Sequence, residues 1–147
     1  MSSATIKKII ACKKKQLIEM VIDIEKYPEF VPWCIEGKVH DKNESEDLIT
    51  FNGDLKVGKS LLNETFFSQV LYYKEKDKII VSNLSGPLKY LKNEWAFKEI
   101  NNATQLEFFI DFELKNPILN SIMKRSFEIG LNKIAKSFEE RATNLYK

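Results

Sequence analysis

Residues 104–145 read TQLEFFIDFELKNPILNSIMKRSFEIGLNKIAKSFEERATNL, and the spacing of the apolar residues changes within them. At first Leu106, Phe108, Ile110, Phe112 and Leu114 share one face, with Gln105, Glu107, Asp111 and Glu113 on the other. A period of two is that of a strand covered on one side and wet on the other. Past Lys115 the period becomes three to four, through Leu119, Met123, Phe127, Leu131, Ile134, Phe138, Ala142 and Leu145. That is one apolar stripe on a helix. Asn116 is placed to cap it, and Pro117 suits the first helical position. Its length is roughly 40 Å at 1.5 Å per residue. A half-covered strand running into a one-striped helix makes the helix the natural cover of a sheet.

Upstream, the period of two persists. Strands are expected near 35–41, 47–57, 60–73, 77–84 and 91–99, joined by short polar turns such as Asp41-Lys42-Asn43 and Asn101-Asn102. Such a series reads as an antiparallel meander. Further back, Thr5 to Ile10 reads as a first strand, and Leu17, Met20, Val21 and Ile24 set a short helix over Lys14 to Glu25. That helix stops before Tyr27-Pro28, because the residue preceding proline avoids the helical region.

Composition bounds the class. The chain has 147 residues, which suits a single domain over 1–147, and it is 44% hydrophobic and 30% charged with a net charge of +2. It is too apolar for a disordered tail. The cations are nearly all lysines, Arg125 and Arg141 being the arginines. This balance argues against a DNA partner, since base and phosphate recognition favours clustered arginine. Cys12 and Cys34 make no disulfide framework, which points to a reducing compartment. No apolar run is long enough to span a bilayer, and the first residues lack a signal-peptide core. The expected location is a bacterial cytoplasm or an organelle matrix, with any membrane contact peripheral.

Catalytic chemistry is sparse in the sequence. His40 is the one histidine, so neither a histidine-based triad nor a multi-histidine metal site can form within one chain. Gly53, Gly58, Gly86 and Gly130 are isolated rather than grouped in a phosphate loop. Glu139-Glu140 and Asp111 with Glu113 read as solvated surface carboxylates. No catalytic residue, catalytic cofactor or metal is assigned.

Aromatic residues concentrate in two places. Tyr27-Pro28-Glu29-Phe30-Val31-Pro32-Trp33-Cys34 makes a stiff apolar elbow, either a plug at one end of the sheet or a cavity wall. Gly86-Pro87 makes a turn, after which Leu91, Trp95 and Phe97 share one strand face. The tip Leu88-Lys89-Tyr90 mixes apolar and cationic groups, as an ordinary hairpin tip or as a membrane-surface contact.

These landmarks resemble the coenzyme-Q-binding branch of the START-like superfamily, which also holds polyketide cyclases and lipid-transport proteins. The resemblance rests on the elbow Tyr27-Pro-x-Phe30-x-Pro32-Trp33-Cys34, on Asp54-Leu55-Lys56-Val57-Gly58 followed by Glu64-x-Phe66-x-Ser68-x-Val70, and on Gly86-Pro87-x-x-x-Leu91-x-x-x-Trp95-x-Phe97. It continues through Phe112-x-Leu114-Lys115-Asn116-Pro117-Ile118-Leu119 and Phe138-x-x-Arg141-Ala142, so it covers nearly the whole chain. Lys59, Leu88 and Leu114 stand where the family more often has aromatics. The resemblance implies an α+β helix-grip fold: a curved antiparallel sheet of about seven strands round a long C-terminal helix, with two short helices after the first strand. It implies a carrier that binds ubiquinone or a related isoprenoid lipid and supports respiration and quinone synthesis. Similar sequences are also labelled ribosome association toxin A, which implies a ribosomal subunit as the alternative partner. A cyclase-type enzyme is a third reading, with Tyr72, Asn83 or Glu64 as polar groups.

For the carrier reading, the elbow and first strands offer Phe30, Trp33, Phe51, Leu55 and Phe66 as cavity lining. The later strands offer Leu84, Leu91, Trp95, Phe108 and Phe112, and the long helix offers Phe127 and Leu131. Burying roughly 300 Å² of isoprenoid tail at about 25 cal/mol per Å² yields about 7 kcal/mol before the costs of association. Membrane contact is expected at Leu88 and Tyr90 and at Ile118, Leu119, Ile122 and Met123, beside Lys124 and Arg125. Gly130 in mid-helix suggests close approach of a ligand or a strand.

Overall fold

A computed structural model describes residues 2–59 and 62–146. Strand β1 (Ser2–Ile10) leads into helix α1 (Lys14–Ile22) and a short 3-10 helix (Ile24–Glu29). Six strands follow: β2 (Cys34–Glu44), β3 (Leu48–Lys59), β4 (Leu62–Tyr73), β5 (Lys78–Ser85), β6 (Leu88–Ile100) and β7 (Ala103–Leu114). Helix α2 (Pro117–Leu145) ends the chain. The strands form one antiparallel sheet in the order β1-β7-β6-β5-β4-β3-β2, so β2 to β7 are a simple meander and β1 returns to pair with β7. This is the expected helix-grip arrangement: a curved seven-stranded antiparallel sheet with a long C-terminal helix.

Local chemistry explains the joints. The Asn116 side chain accepts from the backbone N–H groups of Ile118 and Leu119 at 2.9 and 3.2 Å, and so caps α2 as its sequence suggests. Gly86 has φ 111°, a backbone conformation that favours glycine, and it turns β5 into β6. A Cβ on Gly37 would lie 2.1 Å from the Ile24 carbonyl oxygen, so only glycine lets β2 pack against the 3-10 helix.

Some boundaries differ from the sequence reading. Asp41-Lys42-Asn43 is not the β2–β3 turn. β2 runs on to Glu44, and the register shifts between His40 and Asn43, with Asp41 at φ 51°. A bulge and a turn recruit the same residue types, which is why the two look alike in sequence. The short helix ends at Ile22 rather than Glu25, and a 3-10 helix holding Pro28 replaces the aromatic turn. β6 begins at Leu88, three positions earlier than read. Residues 60 and 61 of the strand expected over 60–73 lie outside the described residues.

Packing divides the interior into two ends. One end holds the larger cluster, in which Ile10, Leu17, Val21, Phe51, Leu106, Phe138 and Ala142 are buried. Tyr27, Phe30 and Phe138 meet there edge to face at 5.1–5.8 Å. The other end holds the smaller cluster of Leu88, Phe112 and Leu114, with Phe66, Leu91, Leu119, Met123 and Phe127 packed against it. The buried residues of α2 are Gly130, Leu131, Phe138 and Ala142, none of them in its first three turns. Its first turns stand over the sheet without filling the space beneath.

Candidate functional site: an apolar cavity between the sheet and the long helix

Between the two clusters lies a cavity of about 310 Å³. Its floor is the concave face of the sheet, including Leu55, Phe66, Val81, Leu91 and Phe112, and its roof is Met123, Ser126, Phe127, Gly130 and Leu131 of α2. A second hollow of about 140 Å³ lies toward the 3-10 helix, lined by Tyr27, Phe51 and Trp95 among others. Leu55, Ser68, Val81 and Asn93 border both.

The expected lining residues distribute as follows. Trp33, Leu55, Phe66, Leu91, Phe112, Phe127 and Leu131 border the larger cavity, while Phe51 and Trp95 border the smaller hollow. Phe108 stacks edge to face on Trp95 at 4.6 Å and lines a narrow crevice beside it with Leu131. Phe30 borders none of these spaces. It packs between Tyr27 and Phe138, so that part of the elbow is a plug, while Trp33 makes the other part a wall. Leu84 is not a lining residue. Ile79 and Val81 face inward on β5, so Leu84 has the outward parity and is 52% exposed.

The proposed membrane-contact residues separate too. Leu88 is 5% exposed, pairs with Leu114 and lines the cavity, so it does not reach outward. Met123 also lines the cavity, and Leu119 is half-buried against the small cluster. Tyr90 is half-buried, with its hydroxyl donating to Asp111 at 3.1 Å. Burial foremost, with the hydrogen bond and charge of Asp111, raises the pKa of that phenol. Ile118, Ile122, Lys124 and Arg125 are exposed, Ile118 at 71%. The start of α2 is fastened to the β5–β6 turn, because the Lys115 N–H donates to the Pro87 carbonyl at 2.8 Å. The exposed Phe67 lies near that turn, since a Cβ on Gly86 would meet its ring at 3.6 Å.

Polar groups on the inner wall are few. Asn93 is 6% exposed; its Nδ2 donates to the Phe109 carbonyl at 2.8 Å, and its Oδ1 accepts from Trp95 Nε1 at 3.0 Å. It is not among the residues expected from the sequence to line a cavity, although it shares inward parity with Leu91, Trp95 and Phe97. A polar residue at an inward position was the available signal. Ser68 borders both spaces, and Ser126 turns its hydroxyl back to the Ile122 carbonyl at 3.4 Å.

Tyr72, Asn83 and Glu64 are not brought together. Tyr72 packs on the larger cluster, Glu64 is exposed opposite Val57, and Asn83 stands opposite Ser68. His40 lies on the exposed side of β2, its Nε2 2.7 Å from Asp54 Oδ2. Burial pushes the half-buried Cys34 thiol up to about 11, away from nucleophilic use. Among the described residues no group of His, Cys, Asp and Glu is placed to hold a metal ion. No described helix is long and apolar enough to cross a membrane.

Comparison with known proteins places this architecture. The chain is 32% identical over 143 residues to the ribosome association toxin RatA of Rickettsia prowazekii, covering 95% of each. It is 28% identical over 135 residues to the mitochondrial coenzyme Q-binding protein COQ10 of Dictyostelium discoideum, covering 89% of this chain and 64% of that one. Among solved structures, an 18 kDa protein from Caulobacter crescentus superposes with a TM-score of 0.82 at 32% identity, covering 99% of both chains. The profile of the family described as polyketide cyclase / dehydrase and lipid transport matches residues 12–139, and the chain belongs to that family.

Proposed function

We propose that this protein carries a neutral isoprenoid lipid of the ubiquinone type in the cavity between α2 and the sheet. The observation behind this reading is the cavity itself. About 310 Å³ of space is bordered by Leu, Val, Ile, Phe, Met and Trp side chains, with Ser68, Asn93 and Ser126 as its polar members and no ionised side chain. Ligand sites of roughly 300–1,000 Å³ with mostly apolar walls and a few placed polar groups are the usual form for small hydrophobic molecules. An anionic head would be buried there without a counter-charge, at a prohibitive desolvation cost. The relative named for coenzyme Q binding supports the choice of lipid. Entry runs past the start of α2, where Ile118 and Ile122 with Lys124 and Arg125 rest on an anionic membrane.

A second reading, association with a ribosomal subunit, is favoured by the toxin-named relative that matches along 95% of both chains. One preparation separates the two. Protein purified from its own host is analysed by native mass spectrometry with lipid extraction, and a portion is sedimented with ribosomal subunits at low salt. A co-purified quinone supports the carrier. Empty protein that migrates with a subunit, and leaves it as salt rises, replaces the carrier with the ribosomal reading.

A further inference from the structure

The larger cavity and the smaller hollow meet at Leu55, Ser68, Val81 and Asn93, which border both and stand on successive strands β3 to β6. Two of these residues are polar, in a space otherwise walled by apolar side chains. Asn93 has spent one N–H on the Phe109 carbonyl and one lone pair on the Trp95 indole N–H. A carbonyl only accepts and an indole only donates, so the amide cannot flip, and its second N–H is left to donate. The Ser68 hydroxyl has no hydrogen-bond partner among the described residues, and its oxygen remains accessible. Other donors on these walls are already used. The Tyr27 hydroxyl donates to the Val21 carbonyl, and the Ser126 hydroxyl to the Ile122 carbonyl.

The two unspent donors are set apart by the register of the sheet. Ser68 on β4 pairs with Asn83 and Asn93 on β6 pairs with Val81, both partners lying on β5. Two strand spacings across and two residues along put the donors about 12 Å apart at the backbone. The inward curve of the sheet brings their tips closer. Carbonyl oxygens at opposite corners of a six-membered ring lie about 5 Å apart, and a hydrogen bond of about 2.9 Å at each end makes a span of about 11 Å. We infer that Ser68 and Asn93 each donate to one of the two opposite carbonyls of a 1,4-dicarbonyl ring, which lies across Val81 where the two spaces meet. This rests on the carrier reading above and names the chemical group that the site selects. The tail then lies in the larger cavity, and the far edge of the ring faces Phe51 and Trp95 in the smaller hollow.

The test uses the full chain, stripped of lipid and loaded with decylubiquinone carrying carbon-13 at C1 or at C4, so that infrared spectra resolve each carbonyl. Binding itself is read by tryptophan fluorescence from Trp33 and Trp95. In the wild type both carbonyl bands should fall below their positions in hexane. Ser68→Ala should return one of them toward the hexane position, and Asn93→Leu the other. Each substitution should weaken binding about two- to tenfold, the range for one hydrogen bond. A loss of packing alone would not move one labelled carbonyl and spare the other. The wild-type spectra and Ser68→Ala decide the matter even if Asn93→Leu does not fold. A bound quinone with either carbonyl unshifted, or a folded variant that keeps both shifts, overturns the inference and leaves the carrier reading intact. Failure of the wild type to bind decylubiquinone overturns both.

Discussion

Arg141 of α2 reaches Glu29 of the elbow across 2.7 Å, and its guanidinium lies 4.9 Å from the centroid of the Phe30 ring. One cation therefore clamps the C-terminal part of α2 to the segment that crosses beneath β2. The Arg141 hydrogen bond, more than its charge, lowers the Glu29 pKa. The carboxylate is exposed, so solvent screens the ion pair and the ring contact supplies the larger part of the clamp. Arg141→Ala is expected to lower Tm by about 2–6 °C at pH 7. Arg141→Lys keeps the charge but loses the planar stack, and falls between. Since the folded pKa of Glu29 lies below its unfolded value, the contribution of the pair is present above the unfolded value and fades as pH falls through the folded one. The gap in Tm between wild type and Arg141→Ala should therefore narrow in acid, as thermal melts across pH will show.

The two ends of the interior should differ in their response to truncation. Phe138 is 2% exposed and touches three aromatic rings, those of Tyr27, Phe30 and Trp95. Phe127 is half-buried, meets Phe112 at 5.2 Å and faces space that is already open. Phe138→Ala is expected to cost about 3–5 kcal/mol, the usual range for a fully packed aromatic. Phe127→Ala should cost less than half as much, since fewer contacts are lost and the new space joins an existing cavity. Urea denaturation of the lipid-free protein measures both, and equal losses would show that the end under Phe127 is packed as tightly as the core.

The sequence showed most where periodicity is strict. β7 and α2 are legible from their apolar spacing, because strand parity and the helical stripe each leave one side to be covered. The Asp41 bulge was not, since a residue at positive φ beside asparagine serves a turn equally well. Leu84 and Leu88 exchanged roles for a related reason. Sequence spacing places Leu84 facing in and Leu88 at a hairpin tip, yet the tight Gly86 turn lets β6 start at once and pairs Leu88 with Leu114. Asn83 takes the inward parity that Leu84 was given. Asn93 stands at an inward position of β6 among apolar residues, where apolar periodicity alone does not mark it.

Gly130 offers a test of how the roof of the cavity is built. It is buried in α2 and borders the cavity, where it presents backbone in place of a side chain. A mid-helix glycine is roughly 0.8–1 kcal/mol less favourable than alanine. Gly130→Ala should therefore stabilise the lipid-free protein by up to about 1 kcal/mol, while the added methyl group intrudes on the ligand and weakens decylubiquinone binding. A urea titration beside a fluorescence titration reads the two effects. A gain in stability with unchanged affinity would mean that the ligand does not pass under this turn.

The start of α2 is the place where a membrane contact can be tested without touching the core. Ile118 is 71% exposed and Ile122 38%, and Lys124 and Arg125 follow on the same helix. Two aliphatic side chains left in water are unfavourable by themselves, but beside two cations they suit the boundary between anionic headgroups and acyl chains. Ile122→Glu adds a like charge to that boundary and removes an apolar group that stabilises the fold little. Its Tm should stay within about 2 °C of wild type, as for most surface substitutions. Co-sedimentation with vesicles of phosphatidylglycerol and phosphatidylcholine should fall at least severalfold, and wild-type binding should itself weaken as salt screens Lys124 and Arg125. If Ile122→Glu and wild type sediment alike, this turn does not touch the membrane, and the entry route proposed for the carrier is overturned.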